Sequence, residues 1–240
     1  EVLYAVRDAG VVVVITDADG AALVGRIRDR APALRHVVAV GGKIAGATSW
    51  GELLRADPCR RAAHCRFDDL CQIQYTSGTT GKPKGAMLTH GNWIAAMDAE
   101  RDVLGITADD IYLGIYPMGH VGISWGISPL RAGGTYVVME RFDLSRYIDL
   151  AREYRATIAA GMPPVIHSLL QTPPGTEAAL ATVRVMISGG GPLMPGVWKP
   201  FHERFGIPVA NAYGLSETVV VGTGTAIRPE HYATADEFRS

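Results

Sequence analysis

Residues 75–85 read Tyr-Thr-Ser-Gly-Thr-Thr-Gly-Lys-Pro-Lys-Gly, directly after a stretch with the composition of a β-strand. Besides the tyrosine, this loop offers four side-chain hydroxyls, three glycines and two lysines. Glycines let backbone N–H groups converge on an anion, hydroxyls add neutral donors, and lysines bring positive charge. The loop is therefore predicted to bind a polyphosphate and to lead into a helix that starts near His90 or Gly91.

Two other interpretations of the loop explain less. A simple turn of small residues does not account for two lysines placed between glycines and a proline. A P-loop requires Gly-x-x-x-x-Gly-Lys followed by Ser or Thr. Here two residues separate Gly78 from Gly81, and Lys82 is followed by Pro83, which has no hydroxyl for a metal ion. The remaining interpretation is a loop that binds the phosphates of a nucleotide but is not a P-loop.

The rest of the chain alternates short apolar runs with amphipathic stretches, which predicts an α/β fold with largely parallel strands. The predicted strands are 11–16, 37–40, 72–76, 111–116, 135–139, 157–160, 183–188 and 208–210. The predicted helices are 92–104, 122–131, 144–154, 164–171 and 195–205. Asp143 stands at the N-cap position of the third of these helices. A polar, charge-rich stretch between Trp50 and Asp69 suggests a subdomain junction near residues 50–70.

Composition excludes some partners. The net charge is -1 and the pI is about 6.7, so no general basic field attracts nucleic acid or anionic lipid. The longest apolar run, Val11–Ile15, is too short for a membrane span. Cys59, Cys65 and Cys71 form no CxxC pair, and reduced thiols in a cytoplasmic protein are the expectation.

Three further segments combine polar and glycine residues. Residues 116–122 read Tyr-Pro-Met-Gly-His-Val-Gly, residues 188–193 read Ser-Gly-Gly-Gly-Pro-Leu, and residues 211–218 read Asn-Ala-Tyr-Gly-Leu-Ser-Glu-Thr. Taken alone, His120 would more often be a core histidine, and an Asn-rich turn with one acidic residue would be an ordinary surface loop.

Together, these segments and the 75–85 loop resemble the adenylate-forming superfamily, which includes acyl-CoA synthetases, peptide-synthetase adenylation domains and beetle luciferases. The loop matches the superfamily's phosphate signature nearly letter for letter, and the motifs stand in the superfamily's order. Ala212 replaces the usual glycine, and Ser216 replaces the usual threonine but keeps its hydroxyl. The resemblance covers nearly the whole chain and implies a layered αβαβα arrangement of mostly parallel sheets and helices.

The resemblance implies a site for ATP and Mg²⁺. Expected to bind Mg²⁺ are Thr76 and Glu217. Expected to cradle the β- and γ-phosphates are Ser77, Gly78, Thr79, Thr80, Gly81 and Lys84. The adenine site is expected to consist of Gly191, Pro192, Asn211, Ala212, Tyr213 and Gly214. Thr218 is expected to contact the α-phosphate. The implied catalytic group consists of His120, which would line or gate the acid site, together with Lys84 and Glu217.

The implied reaction is ATP-dependent activation of a carboxylic acid to an acyl-adenylate, followed by thioester formation with coenzyme A. An enzyme that loads a carrier protein or stops at acyl-AMP, an oxygenase of the luciferase type, and a non-catalytic nucleotide-binding fragment are the alternatives. The acid is expected to be non-polar. The residues expected to border it, for which a core role is an equally good explanation, are Trp125, Gly126, Met162, Pro163, Val165 and Ile166.

The resemblance also gives an expectation about the extent of the chain. Residues 1–240 correspond to part of the N-terminal AMP-binding domain, without the Thr-Gly-Asp segment, the hinge and the small C-terminal domain of whole enzymes. The isolated chain is therefore expected to adenylate its acid very poorly or not at all.

Overall fold

The computed structural model describes residues 1–77, 81–119, 121–219 and 222–224. Contacts within the chain divide it into two compact units, Glu1–Met87 and Leu88–Ser240. Residues 50–70, where the sequence suggests a subdomain junction, lie inside the first unit, and that junction stays a prediction. Within the described residues, no helix combines the length and apolarity needed to cross a membrane.

The first unit contains a small parallel sheet and a separate strand pair. Its elements are α1 (Val2–Asp8), β1 (Val13–Thr16), α2 (Ala18–Ile27), β2 (His36–Ala39), β3 (Thr48–Ser49), α3 (Trp50–Leu53), β4 (Leu70–Thr76) and the start of β5 (Lys84–Thr89). The three-stranded sheet has the order β1-β2-β3 with parallel pairs, and β4 pairs with β5. The cysteines Cys59, Cys65 and Cys71 are free and exposed.

Helix α2 shows how local sequence builds this unit. Asp17 caps its N-terminus, where the carboxylate accepts a 2.8 Å hydrogen bond from the Gly20 amide. Ala21 and Val24, three positions apart, then fall on one buried face. They share an apolar cluster with Val37 of β2, so the helix covers one side of the sheet.

The second unit alternates helices and strands around a larger sheet. Its elements are α4 (His90–Leu104), β6 (Ile111–Gly114), α5 (Val121–Arg131), β7 (Thr135–Val138), α6 (Leu144–Glu153), β8 (Ile158–Ala160), α7 (Pro163–Leu170), β9 (Val185–Gly189), α8 (Pro195–Phe205), β10 (Val209–Tyr213) and β11 (Thr223–Gly224). The strand order is β11-β10-β9-β8-β6-β7. Every pair from β10 to β7 is parallel, and β11 is antiparallel to β10. The predicted α/β class with mostly parallel strands is confirmed.

Helix α6 forms because its sequence supplies an N-cap and one apolar face. The Asp143 carboxylate accepts a 2.8 Å hydrogen bond from the Arg146 amide, which confirms the predicted N-cap. Tyr147, Leu150 and Ala151 then fall on one buried face against the sheet. The Tyr147 hydroxyl donates a 2.8 Å hydrogen bond to the carbonyl of Ala160 at the end of β8. This bond ties the helix to the carboxyl edge of the sheet, where the predicted adenine residues lie.

Candidate active site

The predicted phosphate loop joins β4 to β5 in the first unit. Thr76 ends β4, and its hydroxyl donates a 3.5 Å hydrogen bond to the carbonyl of Lys84, the first residue of β5. Gly81 has a φ of +81°, a left-handed conformation that glycine adopts without strain. The exposed loop residues are Ser77, Gly81, Lys82 and Lys84. The predicted phosphate ligands Gly78, Thr79 and Thr80 lie outside the described residues.

The helix predicted to start near His90 or Gly91 is confirmed, and a strand that the sequence does not predict, β5, lies between the loop and this helix. Helix α4 begins at His90, capped by Thr89. A Cβ on Gly85 would lie 2.6 Å from Cγ2 of Ile73 and 3.3 Å from the ring of Tyr75. Only glycine therefore allows this close approach within the strand pair, so packing alone explains why residue 85 is glycine.

The start of the phosphate loop is anchored on α1. The Tyr75 hydroxyl donates a 2.6 Å hydrogen bond to Oδ2 of Asp8, and its ring makes an edge contact with Tyr4. The hydrogen bond to Asp8 is the main reason that the pKa of Tyr75 rises to about 12. The phenol therefore stays protonated near neutral pH and fixes the residue that precedes Thr76.

In the second unit, the strand order reverses at β6. The chain passes from β6 to its neighbour β7, then crosses back to place β8 on the other side of β6. Ligands of open α/β sheets bind outside the carboxyl ends of the strands, at such a reversal. The segments that leave this edge of the sheet include 115–119, 161–162, 190–194 and 214–218. They contain or adjoin the acid and adenine motifs.

The three successive glycines at the end of β9, Gly189 to Gly191, differ in why glycine is present. A Cβ on Gly189 would lie 3.1 Å from the carbonyl oxygen of Ala212 on the neighbouring strand. Gly190 has a φ of +77°, which favours glycine. Gly191 lies outside the left-handed region and has open space around a built Cβ, so packing within the described chain does not demand glycine there. An approaching ligand would give Gly191 a purpose, as the adenine-site prediction requires.

The predicted adenine residues converge at the ends of β9 and β10. Asn211 pairs in register with Ser188, and Ala212 with Gly189, so the strand carrying the Asn-Ala-Tyr sequence lies beside the glycine loop. Tyr213 is 65% exposed, which leaves its ring free for a flat ligand. Pro192 and Gly191 follow β9 at the same edge, and Gly214 follows β10.

Residues 216–218 form a single 3₁₀ turn after Tyr213. Glu217 is exposed there. The Thr218 hydroxyl donates to the carbonyl of Leu215 and accepts from its amide, both at 3.0 Å. These two local hydrogen bonds occupy the hydroxyl predicted to contact the α-phosphate.

Val219, which follows this turn, has a φ of +68°, rare for a β-branched residue, and packs in a buried cluster with Trp93 and Met97 of α4. The buried Val219 fixes the end of the segment.

The predicted acid-site residues differ in exposure. Val165 and Ile166 are buried in the main apolar cluster, so the core interpretation describes them. Trp125 is also buried, whereas Met162 and Pro163 at the start of α7 are half-buried. His120 lies outside the described residues.

The predicted metal ligands fall in different units. Thr76 and Lys84 belong to the first unit, and Glu217 belongs to the second. Within the second unit, the structure does bring the adenine residues to one edge, close in sequence to Glu217. The pairing of Thr76 with Glu217 on one metal ion therefore stays a prediction.

The residues present fit a nucleotide with Mg²⁺. Ser188 is fully buried at the end of β9, and its hydroxyl has no hydrogen-bond partner among the described residues, an arrangement that is costly without a ligand or water. The exposed Glu217 carboxylate is a hard oxygen ligand, and Mg²⁺ is commonly held by one or two carboxylates plus substrate phosphates and water. Among the residues described, no three His, Cys, Asp or Glu side chains cluster for a metal ion. This donor set suits Mg²⁺ that is shared with a nucleotide.

One residue of this region is absent from the sequence prediction. Tyr136 of β7 donates a 3.1 Å hydrogen bond to the carbonyl of Gly122, in the segment that contains His120. Nothing in the local pattern of a β-strand marks it, because its partner Gly122 lies in α5 and is reached only through tertiary packing.

Comparison with known proteins identifies the family of the chain. The family model described as "AMP-binding enzyme" matches residues 1–236. A 4-coumarate–CoA ligase from Oryza sativa subsp. japonica is 35% identical over 192 residues, covering 75% of this chain and 34% of the relative. The chain thus spans about a third of the length of that curated relative.

Two solved structures share the fold. ATP-bound MatB from Rhodopseudomonas palustris has a TM-score of 0.81 and 29% identity over 94% of this chain and 44% of that chain. The anthranilate CoA ligase AuaEII, in complex with anthranoyl-AMP, has a TM-score of 0.83 at 24% identity over 95% of this chain and 46% of that chain. With the family model matching nearly every residue, the chain belongs to the AMP-binding enzyme family.

Proposed function

We propose that the full-length protein containing this chain is an acyl-CoA ligase, which uses ATP to activate a carboxylic acid and then transfers the acyl group to coenzyme A. The observation that carries this proposal is the glycine loop after β9 beside the Asn-Ala-Tyr end of β10, at the carboxyl edge of a sheet whose strand order reverses. The 35% identity to a 4-coumarate–CoA ligase supports the choice of coenzyme A as acceptor.

In the first half-reaction, a carboxylate oxygen of the acid attacks the α-phosphorus of ATP. A new P–O bond forms, the bond between the α-phosphorus and its bridging oxygen breaks, and pyrophosphate leaves with that electron pair. Both reactants are anions, so positioning and charge neutralisation dominate the barrier. The β- and γ-phosphates would be held by Ser77, Gly78, Thr79, Thr80, Gly81 and Lys84. Thr76 and Glu217 would hold Mg²⁺, which neutralises phosphate charge when bound.

The adenosine end of ATP would rest on the second unit. Tyr213 offers its exposed face to adenine, with Gly191, Pro192, Asn211, Ala212 and Gly214 around it. His120 would line the acid site, and Thr218 would contact the α-phosphate after its local hydrogen bonds to Leu215 rearrange. In the second half-reaction the sulfur of coenzyme A attacks the acyl carbon, the C–O bond to AMP breaks, and the thiol proton passes to solvent.

The acid is proposed to be apolar or aromatic. The half-buried residues at the start of α7, Met162 and Pro163, carry no charge, and residues 161–171 contain no acidic side chain to pair with a substrate ammonium. The relative with 35% identity acts on 4-coumarate, an aromatic carboxylate, which agrees with this choice. An amino acid is correspondingly disfavoured.

The experiment is a panel of aromatic, aliphatic and amino acids offered to the full-length protein, with pyrophosphate release and AMP formation measured with and without coenzyme A. We expect an aromatic or medium-chain acid to give steady turnover only when coenzyme A is present. Turnover that requires an acyl carrier protein, or acyl-AMP release unaffected by coenzyme A, would replace the ligase by a carrier-loading or acyl-AMP-forming enzyme. ATP binding without pyrophosphate release for any acid would indicate a non-catalytic protein. The 240-residue chain, assayed in parallel, is expected to be nearly inactive.

A further inference from the structure

Tyr136 fills a space that two glycines create. Its ring stacks on Tyr112 with a centroid distance of 5.3 Å and an interplanar angle of 24°. A Cβ on Gly114 of β6 would lie 2.5 Å from this ring, and a Cβ on Gly126 of α5 would overlap it. The half-buried ring is therefore held between β6 and α5, and its position leaves little freedom to the hydroxyl that it carries.

The Tyr136 hydroxyl reaches the segment that follows β6. It donates a 3.1 Å hydrogen bond to the carbonyl of Gly122, and its oxygen lies 3.2 Å from Sδ of Met118. The Gly122 amide in turn donates a 3.0 Å hydrogen bond to the carbonyl of Pro117. A Cβ on Gly122 would overlap the carbonyl of Tyr116. The segment thus closes on itself as a tight turn, and Tyr136 holds the end of that turn.

The turn has few other attachments to the sheet among the described residues. Tyr116 lies at its start, buried, with its hydroxyl 3.5 Å from the carbonyl of Ile187 in β9. Met118 is 43% exposed. The Tyr116 contact fixes where the turn begins, and the Tyr136 hydroxyl fixes where it enters α5. His120 lies in sequence between these two attachments.

Tyr136 keeps the proton that this contact requires. Burial raises its pKa above the ordinary value of 10.0, so the phenol is protonated throughout the pH range in which such an enzyme would be assayed. The hydroxyl therefore acts as a hydrogen-bond donor to a carbonyl.

We propose that Tyr136 is a positioning residue for the acid-binding segment 116–122, and that it sets the affinity for the carboxylic acid by holding Gly122 through its hydroxyl. The inference rests on the proposed function, because it assigns the acid to this segment. It predicts an effect confined to the acid: ATP and coenzyme A are bound elsewhere and should not respond.

The test compares Tyr136→Phe with wild type in the full-length protein, using the best acid from the panel. The phenylalanine ring keeps the packing between the glycines and removes only the oxygen. We expect KM for the acid to rise about fivefold, the size of one ordinary hydrogen bond, while KM for ATP stays within about twofold. Amide hydrogen exchange should become faster in residues 118–122 and remain unchanged in the strands.

Tyr154→Phe is the matched control, because Tyr154 lies in the same unit, is 43% exposed, and has no hydroxyl hydrogen bond among the described contacts. Unchanged KM for the acid in Tyr136→Phe, or an equal rise in KM for acid and ATP, would overturn the inference while leaving the ligase proposal intact. Absence of turnover by wild type with every acid would overturn the ligase proposal, and this inference with it.

Discussion

Arg184 and Asp110 form an ion pair with two parallel hydrogen bonds at the amino edge of the larger sheet. Nε of Arg184 lies 2.9 Å from Oδ1 of Asp110, and Nη2 lies 2.9 Å from Oδ2. The Thr157 hydroxyl donates to Oδ1 at 2.7 Å, and the Thr107 amide donates to Oδ2 at 2.9 Å. Asp110, Thr157 and Arg184 directly precede β6, β8 and β9, so one carboxylate joins the starts of three strands.

We expect Asp110→Asn to lower the free energy of unfolding by about 2–3 kcal/mol. That is less than the roughly 3–5 kcal/mol for a fully buried pair, because the Arg184 side chain is 40% exposed. Urea unfolding at neutral pH measures the change. The control is Asp149→Asn, whose ion pair with Arg152 is solvent-exposed and should contribute less than about 1 kcal/mol. Equal effects of both variants would contradict the assignment.

The same carboxylate predicts an acid limit of stability. Burial alone would raise the pKa of Asp110, but the hydrogen bonds from Arg184, Thr157 and Thr107 outweigh it and bring the pKa below its ordinary value of 3.8. A lowered pKa in the folded state stabilises the fold above the unfolded pKa, and that stability is lost as the pH falls below it. Unfolding midpoints should therefore decline below about pH 4 more steeply in wild type than in Asp110→Asn.

The buried carboxyl group of Glu100 should make the stability of the fold depend on pH in the opposite direction to Asp110. It is 3% exposed between α4 and α5, its Oε1 accepts a 2.8 Å hydrogen bond from Ser124, and its Oε2 has no partner among the described residues. Burial raises the pKa of Glu100 to about 7 from 4.5, against the opposing hydroxyls of Ser124 and Ser128. The carboxyl group is thus protonated in the folded state up to near neutral pH.

A raised pKa means that stability is fully present below the unfolded pKa and is lost as the pH rises toward the folded pKa. Wild type should lose ~3 kcal/mol relative to Glu100→Gln between about pH 4.5 and pH 8. Urea titrations across this range measure the difference, with the exposed Glu203→Gln as control. Parallel pH profiles for wild type and Glu100→Gln would show that the buried carboxyl is not the titrating group.

The contact between Gly126 and the Tyr136 ring predicts a non-additive pair of substitutions. Gly126→Ala should destabilise the protein by about 1–3 kcal/mol, because the new methyl group overlaps the ring. Adding Tyr136→Leu should recover part of that loss, so a double-mutant cycle should give a coupling of at least about 1 kcal/mol. Gly196→Ala is the control, since no atom lies within 4 Å of a Cβ built there. Strict additivity would contradict the enclosed position of the ring.

Glu217 predicts a dependence on Mg²⁺ in the full-length protein. Glu217→Gln keeps the shape of the side chain but removes the charge, so Mg²⁺ should bind more weakly with ATP. We expect the rate of adenylate formation at limiting Mg²⁺ to fall by about 100-fold, the scale of one lost electrostatic contact in a transition state. Part of the rate should return at high Mg²⁺. A Mg²⁺ titration in the pyrophosphate assay measures this, and Glu203→Gln should match wild type.

The parts of the fold that the sequence predicts well are those that depend on local periodicity. The apolar runs at 111–114 and 185–188 lie in buried parallel strands, and the N-cap at Asp143 is confirmed, because each signal lies within a few residues of the element it forms. The strand β5 is not predicted. It begins with Lys84 and Gly85, two residues that disfavour strands, and it exists through its pairing with β4.

The candidate site shows the same division between local and distant signals. The predicted phosphate and adenine motifs each consist of consecutive residues, so the sequence alone suffices to propose them. The strand order then brings the predicted adenine residues to one edge. The role of Tyr136 depends on Gly114, Gly122 and Gly126, which reach it only through tertiary packing. The three glycines at the end of β9 look equivalent in the sequence. The fold requires glycine at Gly189 for close packing and at Gly190 for a positive φ, whereas nothing in the described chain requires it at Gly191.

The ion pair of Arg184 with Asp110 lies at the opposite edge of the sheet from the ligand segments. The strands β6, β8 and β9, which have three to five residues each, separate the two edges by about 10–15 Å. Substitutions at the ligand edge can therefore accumulate without touching the contacts that hold the strand starts together. If the proposed ligase function holds, directed evolution of acid preference should begin in segments 115–119 and 161–162, which lie away from this ion pair.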